Sequence, residues 1–137
     1  MFEEKIFSIS QKTEIVVLPE MFSTGFSMQP EKLAETMEGE TLTWMKQVAA
    51  RKKIILTGSL IIKDSPPPLH AEKGSVGQVY YNRLVWALPN GQVGWYDKRH
   101  LFAYGDKFYI PGPELPEFLL GLWRWRAKHN SESFSFL

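Results

Sequence analysis

Cysteine is absent from this sequence. Disulfides, thiolate metal sites and thiol nucleophiles are therefore excluded from these 137 residues. The sequence also lacks a run of about 18 apolar residues, which a membrane-spanning helix would need. The formal net charge is only +1, so there is no basic excess to attract a nucleic-acid backbone. We expect a protein that binds neither nucleic acid nor membranes.

The first residues mix acidic and basic side chains, whereas a secretory signal peptide has a basic start followed by an apolar stretch. This pattern predicts a cytoplasmic protein. The composition, at 44% hydrophobic and 14% aromatic, is that of a folded globular chain rather than a disordered one. No metal or organic cofactor is predicted.

Apolar patterning predicts alternating helices and strands. Strands are predicted at residues 14–18, 54–62, 79–88 and 93–96, the last two forming an antiparallel hairpin around the Asn90-Gly91 turn. Helices are predicted at residues 3–10, 30–34 and 41–52, the last capped by Thr41 or Thr43. The order predicts an α/β fold with a mixed sheet. Strands as apolar as these are usually covered by helices on both faces of the sheet, but only the helix at 41–52 has a clear helical pattern.

Regular patterning stops near Pro111. The segment 113–137 carries Leu119, Leu120 and three more large apolar residues, but no strand or turn pattern is visible there. We therefore divide the chain into a domain at residues 1–112 and a divergent tail at residues 113–137.

Two charged residues stand at predicted strand exits, Glu20 after the first strand and Lys98 after the fourth. In open α/β sheets such positions border the site crevice. A carboxylate there can act as a general base, and an ammonium group can stabilise an oxyanion. Taken alone, their spacing favours solvated loop charges over a site.

The segments around these two residues resemble the nitrilase, or carbon–nitrogen hydrolase, superfamily. The resemblance rests on residues 18–28 (LPEMFSTGFSM) and 96–102 (YDKRHLF), with the hairpin at 80–91 between them, and covers about residues 1–112. It is greatest for the ω-amidase branch. It implies a partial nitrilase-like αββα sandwich that lacks the first strand and the cysteine-bearing half.

The resemblance also implies a Glu–Lys–Cys mechanism on a small-molecule ω-amide of a dicarboxylic keto acid. Glu20 would be the general base for a cysteine thiol, and Lys98 would stabilise the tetrahedral oxyanion. A homo-oligomer is possible, because the family commonly forms dimers or larger assemblies.

This chain departs from the family pattern at the nucleophile, since it has no cysteine. Ser131, Ser133 and Ser135 are its only late hydroxyl groups and are poor substitutes for a thiol. Asp106 is the acid nearest to the position of the family's second glutamate, but it is one methylene shorter. We therefore predict that this chain is inactive.

Three interpretations follow for the whole chain. It is part of an ω-amidase-like hydrolase, truncated or read in a shifted frame; or it is a non-catalytic binding or assembly protein that kept half of the fold; or it is an enzyme that uses other residues. No residue pattern supports a named chemistry for the third.

Overall fold

A computed structural model describes residues 1–10, 12–65, 78–101, 108–112 and 134–136. The helices of these residues are α1 (Phe2–Ser8), α2 (Pro30–Leu33) and α3 (Glu40–Lys52). The strands are β1 (Ile15–Val17), β2 (Ile55–Asp64), β3 (Val79–Ala87), β4 (Val93–Asp97) and β5 (Phe134–Phe136). The predicted α/β class is confirmed. No helix in these ranges is long and apolar enough to cross a bilayer.

The five strands form a single sheet in the order β4-β3-β2-β1-β5. β1 runs parallel to both of its neighbours, whereas β2 with β3 and β3 with β4 are antiparallel. The predicted mixed sheet and the predicted hairpin are therefore confirmed. The hairpin turn has Gly91 at φ +87°, a conformation that glycine adopts without steric cost.

The main core lies between this sheet and helices α1 and α3. Helix α3 contributes an apolar stripe whose four members are all buried: Leu42, Met45, Val48 and Ala49. These side chains meet residues of β1, β2 and β3 that point to the same face, including Val16, Leu56 and Val85. A smaller cluster of Met21, Ile61 and Tyr109 covers part of the opposite face.

The predicted cap of α3 is wrong. The helix begins at Glu40 with Gly39 as its N-cap residue, and neither threonine caps it with its own side chain. Instead, the Glu35 carboxylate accepts the backbone N–H of Thr41 at 2.9 Å and also accepts the Thr41 hydroxyl. A carboxylate from the preceding loop therefore satisfies the free amide, and its charge suits the positive end of the helix dipole.

The interpretation of the tail as lacking strands is also wrong at one place, because residues Phe134–Phe136 form β5 beside β1. A three-residue strand held by a distant neighbour leaves no periodic signal in the sequence. Asp106 and most of the tail lie outside the described residues.

Candidate active site

The structure brings Glu20 and Lys98 together. The Lys98 Nζ atom donates to Glu20 Oε1 at 2.6 Å, and the two side chains are 29% and 46% exposed, respectively. Glu20 follows β1 and Lys98 follows β4, two strands that are separated in the sheet by β2 and β3. The two side chains therefore meet over one face of the sheet, beside Ser59 in the middle of β2 and Asn82 in the middle of β3.

A sharp bend in the chain after Glu20 allows its side chain to meet Lys98. Met21 has φ +48°, which is uncommon for a residue with a side chain and carries a conformational cost. The bend is held by Ser59 of β2, whose Oγ accepts the Met21 N–H at 2.8 Å. The Met21 side chain is also buried, at 1% exposure. The loop that carries Glu20 is thus fastened to β2.

Asn82 of β3 is a third member of the site. Its side-chain Nδ2 donates to Glu20 Oε1 at 2.6 Å, and its backbone carbonyl accepts the Lys98 N–H at 2.9 Å. Asn82 is nearly buried, at 4% exposure. Asn82 therefore contacts both residues of the pair, the carboxylate of Glu20 and the backbone N–H of Lys98.

These contacts favour the ionised form of Glu20. The hydrogen bond from Lys98 lowers the pKa of Glu20 below its ordinary value of 4.5, while partial burial opposes that change. The hydrogen bond from Asn82 and the positive charge of Lys98 lower the pKa of Glu20 further. Glu20 is therefore a carboxylate at neutral pH, in the protonation state that a general base requires.

A cavity of about 250 Å³ adjoins the pair. Its walls combine apolar side chains with the polar groups just described, namely Leu18, Glu20, Ser59, Asn82, Leu84, Tyr96 and Lys98. A small pocket that is mostly apolar, with a few converging polar groups, is the usual form of a small-molecule site. In the described ranges no group of three or more histidine, aspartate or glutamate side chains is placed to hold a metal ion.

The strand end that carries Lys98 is also fixed by contacts on the opposite face of the sheet. Arg83 is the neighbour of Asn82 and points to the opposite face of β3. Its guanidinium group binds the buried Asp97 carboxylate with two hydrogen bonds, of 2.6 and 2.9 Å. Burial alone would lower the pKa of Arg83, but the hydrogen bond and charge of Asp97 raise it overall, so the guanidinium stays protonated. Asp97 immediately precedes Lys98 and is thereby anchored.

The segment before the tail supports the same strand end. The Gly112 N–H donates to the Lys98 carbonyl at 3.3 Å. A Cβ atom at position 112 would collide with Asp97, so only glycine allows this close approach.

The remaining candidate residues are Asp106 and the three late serines. Asp106, Ser131 and Ser133 lie outside the described residues. Ser135 lies in β5, where its backbone pairs with Val16.

In the sequence, Asn82 and Arg83 stand out only as part of the hairpin that resembles the family, and Ser59 and Asp97 carry no site assignment. The available signal was the polarity of Ser59, Asn82 and Arg83 at the centre of otherwise apolar strands, where buried polar groups need hydrogen-bond partners.

Comparison with known proteins identifies the family of the fold that carries Glu20 and Lys98. The model of the carbon-nitrogen hydrolase family matches residues 4–123. The chain belongs to the carbon–nitrogen hydrolase family. The match extends 11 residues past Gly112.

Curated carbon–nitrogen hydrolases agree with this assignment. The chain is 32% identical to omega-amidase YafV of Escherichia coli K12, over 77% of this chain and 36% of that protein. It is 33% identical to omega-amidase YafV of Yersinia enterocolitica, over 82% of this chain and 40% of that protein. It is 34% identical to a nitrilase of Pyrococcus abyssi, over 74% and 36%. The chain thus spans well under half of the length of these relatives.

A solved carbon–nitrogen hydrolase structure has the same fold. The crystal structure of XC1258 from Xanthomonas campestris, a CN-hydrolase superfamily protein, superposes with a TM-score of 0.67 at 34% identity, over 82% of this chain and 39% of that one. The resemblance to this superfamily and the partial nitrilase-like fold are therefore confirmed.

Proposed function

We propose that Glu20 and Lys98 form two-thirds of an amidase site for the ω-amide of a dicarboxylic keto acid. The observation that carries the proposal is the 2.6 Å contact between Lys98 Nζ and Glu20 Oε1 at the rim of the 250 Å³ cavity. The similarity to two omega-amidases supports the substrate class.

In this proposal the missing third group is a cysteine thiol. Glu20 takes the thiol proton, and the thiolate sulfur forms a bond to the amide carbonyl carbon. Lys98 stabilises the negative charge that develops on the carbonyl oxygen. The carbon–nitrogen bond then breaks, and the proton held by Glu20 passes to the nitrogen, which leaves as ammonia. Water, deprotonated by Glu20, hydrolyses the thioester.

The 137-residue chain contains no cysteine, and we expect it to bind the amide without turning it over. Purified chain should release no ammonia from ω-amides. Ammonia release that Glu20→Gln abolishes would contradict the proposal that a thiol is required.

Binding is measured separately, with succinamate as the probe and the backbone amide resonances of Glu20 and Lys98 as reporters. Lys98→Met should weaken binding about tenfold or more, because a hydrogen bond to a charged group contributes about 1.5–3 kcal/mol. Lys12→Met removes an exposed lysine outside the pocket and should leave the affinity unchanged. Equal losses in the two variants, or no binding to the parent chain, would refute the proposed amide site.

A further inference from the structure

The Glu20 carboxylate is held asymmetrically. Both Lys98 Nζ and Asn82 Nδ2 donate to the same oxygen, Oε1, each at 2.6 Å. A carboxylate oxygen has two lone-pair sites, so these two donors fill the capacity of Oε1. Neither bond involves Oε2.

Asn82 is well suited to hold one oxygen in this way. It is 4% exposed and lies on β3, which is paired on both sides by β2 and β4. The position of its Nδ2 is therefore fixed by the sheet. The ammonium group of Lys98, by contrast, stands at the end of a long, flexible side chain. An amide donor also adds no second positive charge beside Lys98, so it aligns the carboxylate without competing with the lysine.

A general base needs one oxygen that remains available to accept a proton from the reacting group. When both donors occupy Oε1, the proton is directed to Oε2. Without Asn82, the carboxylate could rotate about its Cγ–Cδ bond and follow the mobile ammonium group.

We propose that Asn82 is a positioning residue, which holds Oε1 of Glu20 and thereby keeps Oε2 as the proton-accepting oxygen of the amidase site. This inference rests on the proposed function for its purpose. The contact itself can be tested independently of whether any amide binds.

The first test leaves position 82 unchanged. The side-chain NH₂ resonances of Asn82 should shift with pH and follow the titration of the Glu20 carboxylate carbon. In Glu20→Gln this pH dependence should disappear. Asn90 is the matched internal control, since its side-chain amide donates to the neutral Gln92 and should not titrate. If the Asn82 resonances are insensitive to Glu20, the proposal is overturned.

The second test changes the donor. The titration midpoint of Glu20 should rise in Asn82→Ser and in Asn82→Leu, and rise further in Asn82→Asp, where a carboxylate replaces the donor. Dispersed amide spectra establish which variants remain folded. A role limited to packing β3 would alter stability without this graded order, so the same Glu20 midpoint in every folded variant would refute a positioning role.

The third test connects the contact to function. Succinamate binding should weaken as Glu20 becomes protonated, and Asn82→Ser should move this loss to higher pH. If the pH midpoint at which binding is lost is the same in the parent chain and in Asn82→Ser, the inference is contradicted. Failure of the parent chain to bind succinamate would refute the proposed function instead, and the two titrations would still decide the role of Asn82.

Discussion

Removing Arg83 should be among the most damaging single changes that this sheet can undergo. The Arg83 and Asp97 side chains are only 5% and 8% exposed, and two hydrogen bonds join them. Arg83→Met keeps a long apolar side chain but leaves the Asp97 carboxylate buried without its cation. Breaking a buried ion pair in this way costs about 3–5 kcal/mol. That cost is a large share of the roughly 5–15 kcal/mol by which a folded protein is stable.

Urea denaturation followed by tryptophan fluorescence measures the effect. With a slope of about 2 kcal/mol per molar, the midpoint of Arg83→Met should fall by about 2 M. The matched control is Arg51→Met, which breaks the exposed pair between Arg51 and Glu3, with 60% and 40% of these side chains accessible. An exposed pair of this kind contributes about 0–1 kcal/mol.

A double variant separates loss of the pair from loss of packing. Arg83→Met combined with Asp97→Leu removes both charges, so it should recover much of the stability that the single variant loses. The reasoning is refuted if Arg83→Met is no more harmful than Arg51→Met, or if the double variant is as unstable as Arg83→Met alone.

Three further changes test the helix cap, the loop bend and the site carboxylate. Glu35→Ala should destabilise the chain by about 1 kcal/mol through loss of the α3 cap, whereas Glu38→Ala, at an exposed position, should not lower the melting temperature. Ser59→Ala removes the acceptor of the buried Met21 N–H and should cost about 1–3 kcal/mol in urea unfolding; a cost equal to that of Glu38→Ala would contradict the proposed fastening of the loop. Because its folded pKa is below 4.5, Glu20 should contribute stability above about pH 4.5 that is lost as the pH falls through the folded pKa; Glu20→Gln should therefore lack this part of the acid-induced loss in stability–pH measurements.

The strands and the main helix could be predicted because each is encoded locally. The run at 14–18 and the stripe of α3 have the periodicity of a buried strand and of an amphipathic helix, and the Asn90-Gly91 pair specifies a hairpin turn. The α3 cap could not be predicted in this way, because its acceptor, Glu35, lies in the loop before the helix. β5 was missed because it depends on pairing with a strand more than a hundred residues earlier.

The site was only partly visible in the sequence for a related reason. Glu20 and Lys98 could be proposed from their strand-exit positions and from the family resemblance. The roles of Asn82 and Arg83 depend on which face of β3 each occupies, and that face is set by the register of β3 with β2 and β4. A single shift in register would exchange the two side chains, so no argument from spacing along the chain could assign them.

The position of the Glu20–Lys98 contact above the sheet has a consequence for the order of folding. The two residues are 78 positions apart in the chain, and β2 and β3 lie between the strands that carry them. Neither a single hairpin nor a single helix–strand unit can bring them together, and closing so long a loop has an entropic cost. The contact can form only after β1 to β4 lie side by side, so in time-resolved refolding the depressed pKa of Glu20 should appear after the hairpin and α3 have formed.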